Sequence, residues 1–218
     1  FTKAGTNTDA AHIVRWDGAD WQTLDSGLNA TVYAIAVTGA NVYVGGGFID
    51  AGGDPQADNI ACWDGANWHV VGTGLNGTVH AITVAGRDVY AGGSFTNAGG
   101  NSSADSIARW NGTAWYALGS GLDQTVRAIA VAGPDVYAGG NFSDAGGDLD
   151  ADRIACWDGV QWYALGPGLN ADVYDLLVVG PSVYAAGNFT NAGGKDLADG
   201  VARWGGVPWK TYLPLVIR

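Results

Sequence analysis

Catalysis by proton transfer or nucleophilic attack needs a His, a carboxylate, a Ser or a Cys held beside a partner. This chain offers little of that material. Its three histidines, His12, His69 and His80, stand in unrelated contexts, and no Ser or Cys accompanies any of them at a telling spacing. Cys62 and Cys156 sit in identical hexapeptides, "IACWDG", with no second Cys at metal-ligand spacing and no His beside them. The double glycines sit between strands, with no helix following, so they read as tight β geometry and not as a phosphate cradle. One stretch has cation chemistry: "DLDAD" at 148–152 places Asp148, Asp150 and Asp152 at alternate positions, a spacing that can surround Ca²⁺ with oxygens. Across the related stretches "DPQAD", "NSSAD" and "KDLAD" only the last Asp persists, as Asp58, Asp105 and Asp199, with Ala11 in the N-terminal copy. A single recurring Asp before a strand more commonly holds its own turn. The composition therefore implies no enzyme and no cofactor beyond a candidate Ca²⁺.

The hexapeptide belongs to a repeat. Ile60, Ile107 and Ile154 are separated by steps of 47 residues, and the same step reaches Ile13 and Val201. Trp16, Trp63, Trp110, Trp157 and Trp204 form one column; Trp21, Trp68, Trp115, Trp162 and Trp209 form a second; Phe1, Phe48, Phe95, Phe142 and Phe189 a third. A fixed period between 20 and 50 residues marks a repeat architecture. The third residue of the hexapeptide alternates, with Arg15, Arg109 and Arg203 interleaved between the two Cys, as duplication of a two-repeat unit would leave it. Symmetry puts Cys62 and Cys156 two repeats apart, too far for a disulfide.

Within one unit, 79–118, "VHAITV" and "VYAGG" read as two strands joined by a Gly turn. A polar loop, "SFTNAGGNSSADS", leads to "IARW", then "NG" as a hairpin turn, then "WYALG". Nothing keeps a helical period. Four short antiparallel strands per unit argue a β-propeller blade, its sheet packed on both faces. In the first strand, alternation puts Val32, Ala34 and Ala36 on one face and Ile35 and Val37 on the other, while the Trp and Phe columns fill the wider wedge between outer strands.

"VYAGG" followed by "IARWNGTAWYALG" resembles the kelch pattern: a Tyr before a double Gly, then aromatics across the outer hairpin. The units also resemble secreted bacterial propeller repeats and five-bladed lectins with blades of this length. Two departures stand out: an added "F-x-x-A-G" loop, and Ala186 in place of the first Gly of its pair. Kelch repeats share a fold and not a reaction.

The whole chain, 1–218, is expected to be one all-β propeller domain, four complete repeats plus one partial. Five full repeats of 47 would take 235 residues, 17 more than the 218 present, and 17 is the length of 31–47, the first two strands of a unit. Two architectures meet this count. Four blades close alone with a spare outer hairpin, or five blade positions exist, one of them lacking its inner hairpin, to be completed by a partner or by residues outside this sequence. The burial expected of Trp16 and Trp21 favours the second. The segment 209–218, ending "TYLPLVIR", leaves the repeat pattern and is expected to be a last strand or a tail.

The chain has no Met and begins with Phe, as a processed or partial chain would. Net charge is −11 with only 10 Lys and Arg, which excludes the basic stripe that nucleic acid requires. No apolar run is long enough to span a bilayer. Asn29, Asn76, Asn101, Asn111, Asn141 and Asn188 lie in N-x-S/T sequons, glycan acceptors in a secreted chain.

Variation on a constant frame gives the best binding clue. The second residue of the first strand reads Tyr33, His80, Arg127 and Tyr174 while its neighbours barely change. Polar and aromatic groups converging at one ring end suit a sugar or a peptide. The expectation is a non-catalytic extracellular or cell-surface propeller, structural or adhesive, whose partners are copies of itself or another surface protein; a glycan-binding, lectin-like propeller is the alternative.

Overall fold

The computed structural model describes residues 1–5, 11–195 and 198–205. It holds seventeen strands and four single-turn 3₁₀ segments. The first blade position contains only β1 (Val14–Trp16) and β2 (Trp21–Thr23). The second contains β3 (Val32–Thr38), β4 (Asn41–Gly46), β5 (Ile60–Trp63) and β6 (Trp68–Val70). The third contains β7 (Val79–Ala85), β8 (Asp88–Gly93), β9 (Ile107–Trp110) and β10 (Trp115–Ala117). The fourth contains β11 (Val126–Ala132), β12 (Asp135–Gly140), β13 (Ile154–Trp157) and β14 (Trp162–Ala164). The fifth contains β15 (Val173–Val179), β16 (Ser182–Gly187) and β17 (Val201–Gly205). Each sheet runs antiparallel in chain order. The expected fourth strand of the last blade and the tail 209–218 lie outside the described residues.

Blades meet through their inner strands: β3 packs on β7, β7 on β11, β11 on β15. Val79 and Ile82 both face Gly45 of the preceding blade, and Val126 and Ile129 both face Gly92. This corrects the strict alternation expected of the inner strand. A β-bulge shifts the register between Val79 and Ala81, and likewise in the other three inner strands. The extra residue puts Val79 on the face of Ile82 and away from Ala81. Each interface therefore sets large residues of one blade against Ala, Thr and Gly of the blade before.

The Trp of each fourth strand locks to the preceding blade. Trp68 Nε1 donates to the Leu24 carbonyl, Trp115 Nε1 to Val71 and Trp162 Nε1 to Leu118, at 3.2, 3.3 and 2.9 Å. Each also tilts against the Trp opposite it in its hairpin, with ring centroids 5.3 to 5.6 Å apart. Phe48, Phe95, Phe142 and Phe189 are fully buried, whereas Phe1 is exposed.

The outer hairpin turn also differs from expectation. Trp63 pairs with Trp68, so four residues form the loop where the Asp-Gly dipeptide suggested a two-residue turn. Only the Gly has positive φ there (Gly65, 103°). The Asp64 side chain holds the loop by accepting the N–H groups of Ala66 and Asn67 at 2.8 Å. Short polar side chains that bond their own backbone make such a turn as readily as a primed hairpin does.

The ring has a seam. No packing like that between the other inner strands joins β15 to β3. Ile35 and Val37 on β3, and Leu177 and Val179 on β15, are each more than half exposed. β1 pairs only with β2, so its inner edge has no described strand beside it.

Candidate functional site

The β-bulge residue in the four inner strands is Tyr33, His80, Arg127 or Tyr174. A bulge breaks the ladder locally and re-aims a side chain, and bulges recur beside functional sites. Here it turns the four variable residues out of the alternating packing and into one row. The Tyr33 and His80 rings stand 5.0 Å apart, tilted by 52°. The Arg127 guanidinium lies 5.6 Å from the Tyr174 ring centroid. Burial, and then the nearby Arg127 charge, push the His80 imidazole below its ordinary value, favouring its neutral form.

Two residues join the row, Asp172, which the sequence did not single out, and Asn188, which it offered only as a sequon. Asp172 Oδ2 lies 3.6 Å from Arg127 Nη2. Asn188 Nδ2 donates to the Tyr174 hydroxyl at 2.7 Å. The signal for Asp172 was present, because its column otherwise reads Thr31, Thr78 and Thr125. Tyr33 and Tyr174 are exposed, and they end the row on opposite sides of the seam. Exposed aromatic faces beside a cation and hydrogen-bonding groups can stack on a sugar ring or hold a peptide.

The acidic stretch has a different environment. Asp152 Oδ1 accepts the N–H of Asp144 at 3.0 Å, and Asp58, Asp105 and Asp199 take the same bond from Asp50, Asn97 and Asn191. The recurring Asp thus holds a loop whose entry residue has left-handed φ, 49° at Asp144. Asp148 accepts from the N–H of Asp150 at 3.1 Å and of Ala164 at 3.3 Å. Among the described residues, no group of three or more His, Cys, Asp or Glu is placed to hold a metal ion.

The sequons have a structural use as well. Asn76 Oδ1 accepts the Thr96 N–H at 2.8 Å while its Nδ2 donates to Thr96 Oγ1, and Asn29 accepts the Ile49 N–H. Asp123 and Asn170, at the same register but outside any sequon, accept the N–H groups of Ser143 and Thr190 in the same way, so a side-chain oxygen at this register ties two loops together. Cys62 and Cys156 are both buried and neither forms a disulfide. His69 Nε2 meets Asp64 Oδ2 at 2.7 Å on the exposed outer hairpin. The Asn67 N–H, then His69 and the Ala66 N–H, pull the Asp64 carboxyl down to about 2.

Two cavities bear on the question of a site. One of about 220 Å³ is lined by Ile154, Leu165, Leu169, Ala192 and Trp204 among others. One repeat earlier, Ile107, Leu118, Leu122, Ala145 and Trp157 surround Trp162, so this lining is the repeat's own core packing. The second, about 550 Å³, opens between the third and fourth blades over Asp88, Tyr90, Arg109 and Trp157. Arg109 there lies 3.5 Å from Asp88 and over the Tyr116 ring.

No family model matches the chain, and no curated protein does. Solved structures match in fold. The computationally designed Ika4 protein gives a TM-score of 0.52 at 16% identity over 82% of this chain and 92% of that one. A chain of the nidogen/laminin complex gives 0.52 at 15% identity over 73% of this chain and 57% of that one, so this chain spans just over half of it. With the repeated antiparallel sheets, these likenesses show the architecture: the chain is a β-propeller built from tandem four-stranded blades.

Proposed function

We propose that this propeller is a non-catalytic structural or adhesive unit of the extracellular or cell-surface space, and that it joins other chains through its incomplete first blade. One observation carries the reading. Trp21 is 42% exposed, whereas its counterparts Trp68, Trp115 and Trp162 are 9%, 6% and 5% exposed, and Trp16 is 52% exposed where Trp63, Trp110 and Trp157 are half-buried. The first blade thus presents its Trp pair and an edge with no described strand beside it, and the exposed apolar residues of β3 and β15 face the same seam. Unpaired strand edges recruit further strands. The partners are copies of this chain or another surface protein. Sedimentation velocity across a hundredfold concentration range tests the reading. Concentration-dependent association, weakened by Trp16→Ala, is expected; a monomer throughout would overturn association with its own copies.

The row Tyr33–His80–Arg127–Tyr174 supports a second reading, in which the ring end binds a glycan. A glycan array probed with the native chain and with Tyr33→Ala tests it. Retained sugar binding in the variant, or none in either protein, would count against the row.

A further inference from the structure

The wall that β15 and β16 present to the seam is not the wall that the repeat presents elsewhere. At the junction of the fourth and fifth blades, Ala128, Ala130 and Ala132 pack against Val173, Leu176 and Val178. At the third they are Ala81, Thr83 and Ala85. On the seam the same three registers hold Asp175, Leu177 and Val179, and all three are exposed. The small-residue rule fails a fourth time in β16. A Cβ at Gly45, Gly92 or Gly139 would lie 2.5 to 2.6 Å from a Val Cγ1 of the next blade. The residue at this register on the seam is Ala186, which has that Cβ. Four coordinated departures on one face, with none on the faces that meet another blade, need a common cause.

The opposite wall keeps the ordinary pattern. β3 turns Ile35 and Val37 to the seam, as β7 and β11 turn Ile82 and Ile129 to the blade before. Closing β15 directly on β3 at the usual spacing would drive Val32 into Ala186 and set Ile35 and Val37 against Leu177 and Val179. The chain is thereby kept from sealing itself as a four-bladed ring. Between the walls lies the inner edge of β1, with no described strand beside it, where the second, third and fourth blades pair four residues of the third strand with the second.

We infer that the seam takes an extended strand or hairpin with small side chains on its face toward β15 and a Lys or Arg opposite Asp175. This deepens the proposed role by stating what the partner strand must look like. Main-chain bonds to Val14–Trp16 would hold it, as in β-augmentation. The small face follows from the volume that Leu177, Val179 and Ala186 already occupy. The cation follows from the one carboxylate at a register otherwise held by Ala, in a chain of net charge −11.

Two synthetic hairpins test this. One copies 126–140 of this chain, an ordinary inner hairpin. The other carries Val126→Ala, Ile129→Lys and Val131→Ala, which thins the face toward β15. Position 129 takes the Lys because Ala128, at the register of Asp175, packs in one cluster with Leu176, at the register of Ile129. Binding to the native chain is followed by Trp fluorescence and calorimetry. The thinned peptide is expected to bind at least tenfold tighter. In the variant Asp175→Ala/Leu177→Ala/Val179→Ala/Ala186→Gly, which restores the repeat's own wall, the order should reverse. Circular dichroism of the variant establishes that it is folded, and the native chain alone tests the first half. Equal binding of both peptides, no binding of either, or an unchanged preference in the folded variant would overturn the inference. Self-association without peptide selectivity would leave the proposed assembly standing and refute this wall. Selectivity without self-association would do the reverse for assembly between copies.

Discussion

The indole Nε1 of Trp162 donates to the carbonyl of Leu118, 44 residues back and one blade away, at 2.9 Å. This bond joins neighbouring blades at their outer strands, where the inner strands cannot reach. Trp162→Ala removes both the bond and a large buried ring, and should cost about 3–5 kcal/mol. Trp21→Ala, at the same register on the incomplete blade, should cost roughly 1 kcal/mol or less, as expected of a surface site. Urea unfolding of the two variants checks the contrast.

Gly139→Ala should be destabilising by about 1–3 kcal/mol, because the new methyl would lie 2.6 Å from Val173 Cγ1. Ala186→Gly, one repeat later on the seam, removes no such conflict. It should cost only the backbone entropy of Gly in a strand, about 0.5–1 kcal/mol. Melting temperatures of the pair should separate accordingly.

His80 should titrate below its ordinary value of 6.5. Its folded form favours the neutral imidazole, so as pH falls below 6.5 the unfolded chain binds the proton first and stability declines. The loss is complete once pH passes the lower, folded value, and stability recovers as pH rises. Arg127→Ala should move the His80 midpoint upward yet leave it depressed, since burial is the larger cause. A proton NMR titration of the imidazole resonances reads both.

Asp105→Ala should cost about 1–2 kcal/mol by removing the 2.7 Å bond to the Asn97 N–H. Hydrogen exchange should speed up across 94–106 and stay unchanged in the neighbouring blades. Asp148 and Asp152 are likewise occupied by backbone N–H groups. Millimolar Ca²⁺ followed by a chelator should therefore leave the melting temperature of the native chain unshifted.

The sequence alone determined the architecture. A step of 47 residues that carries every Trp and every Phe, with four short strands in each step, argues propeller blades. It also named the row, because Tyr33, His80, Arg127 and Tyr174 vary on a constant frame. It could not supply the bulge that aims them, since one extra residue in a ladder is a property of paired strands and leaves no mark in a single period-2 pattern. The recurring Asp of the acidic loops was legible as a turn residue, but its partner, eight residues back, became visible only when the loop folded over. Ala186 was noticed as a departure from a Gly pair, while its meaning depended on knowing that Gly139 faces Val173 across a blade boundary. Strand order and residue type are local and periodic, so they can be read along the chain. Which face of which strand meets empty space is decided by the closure of the ring, and that depends on all the blades at once.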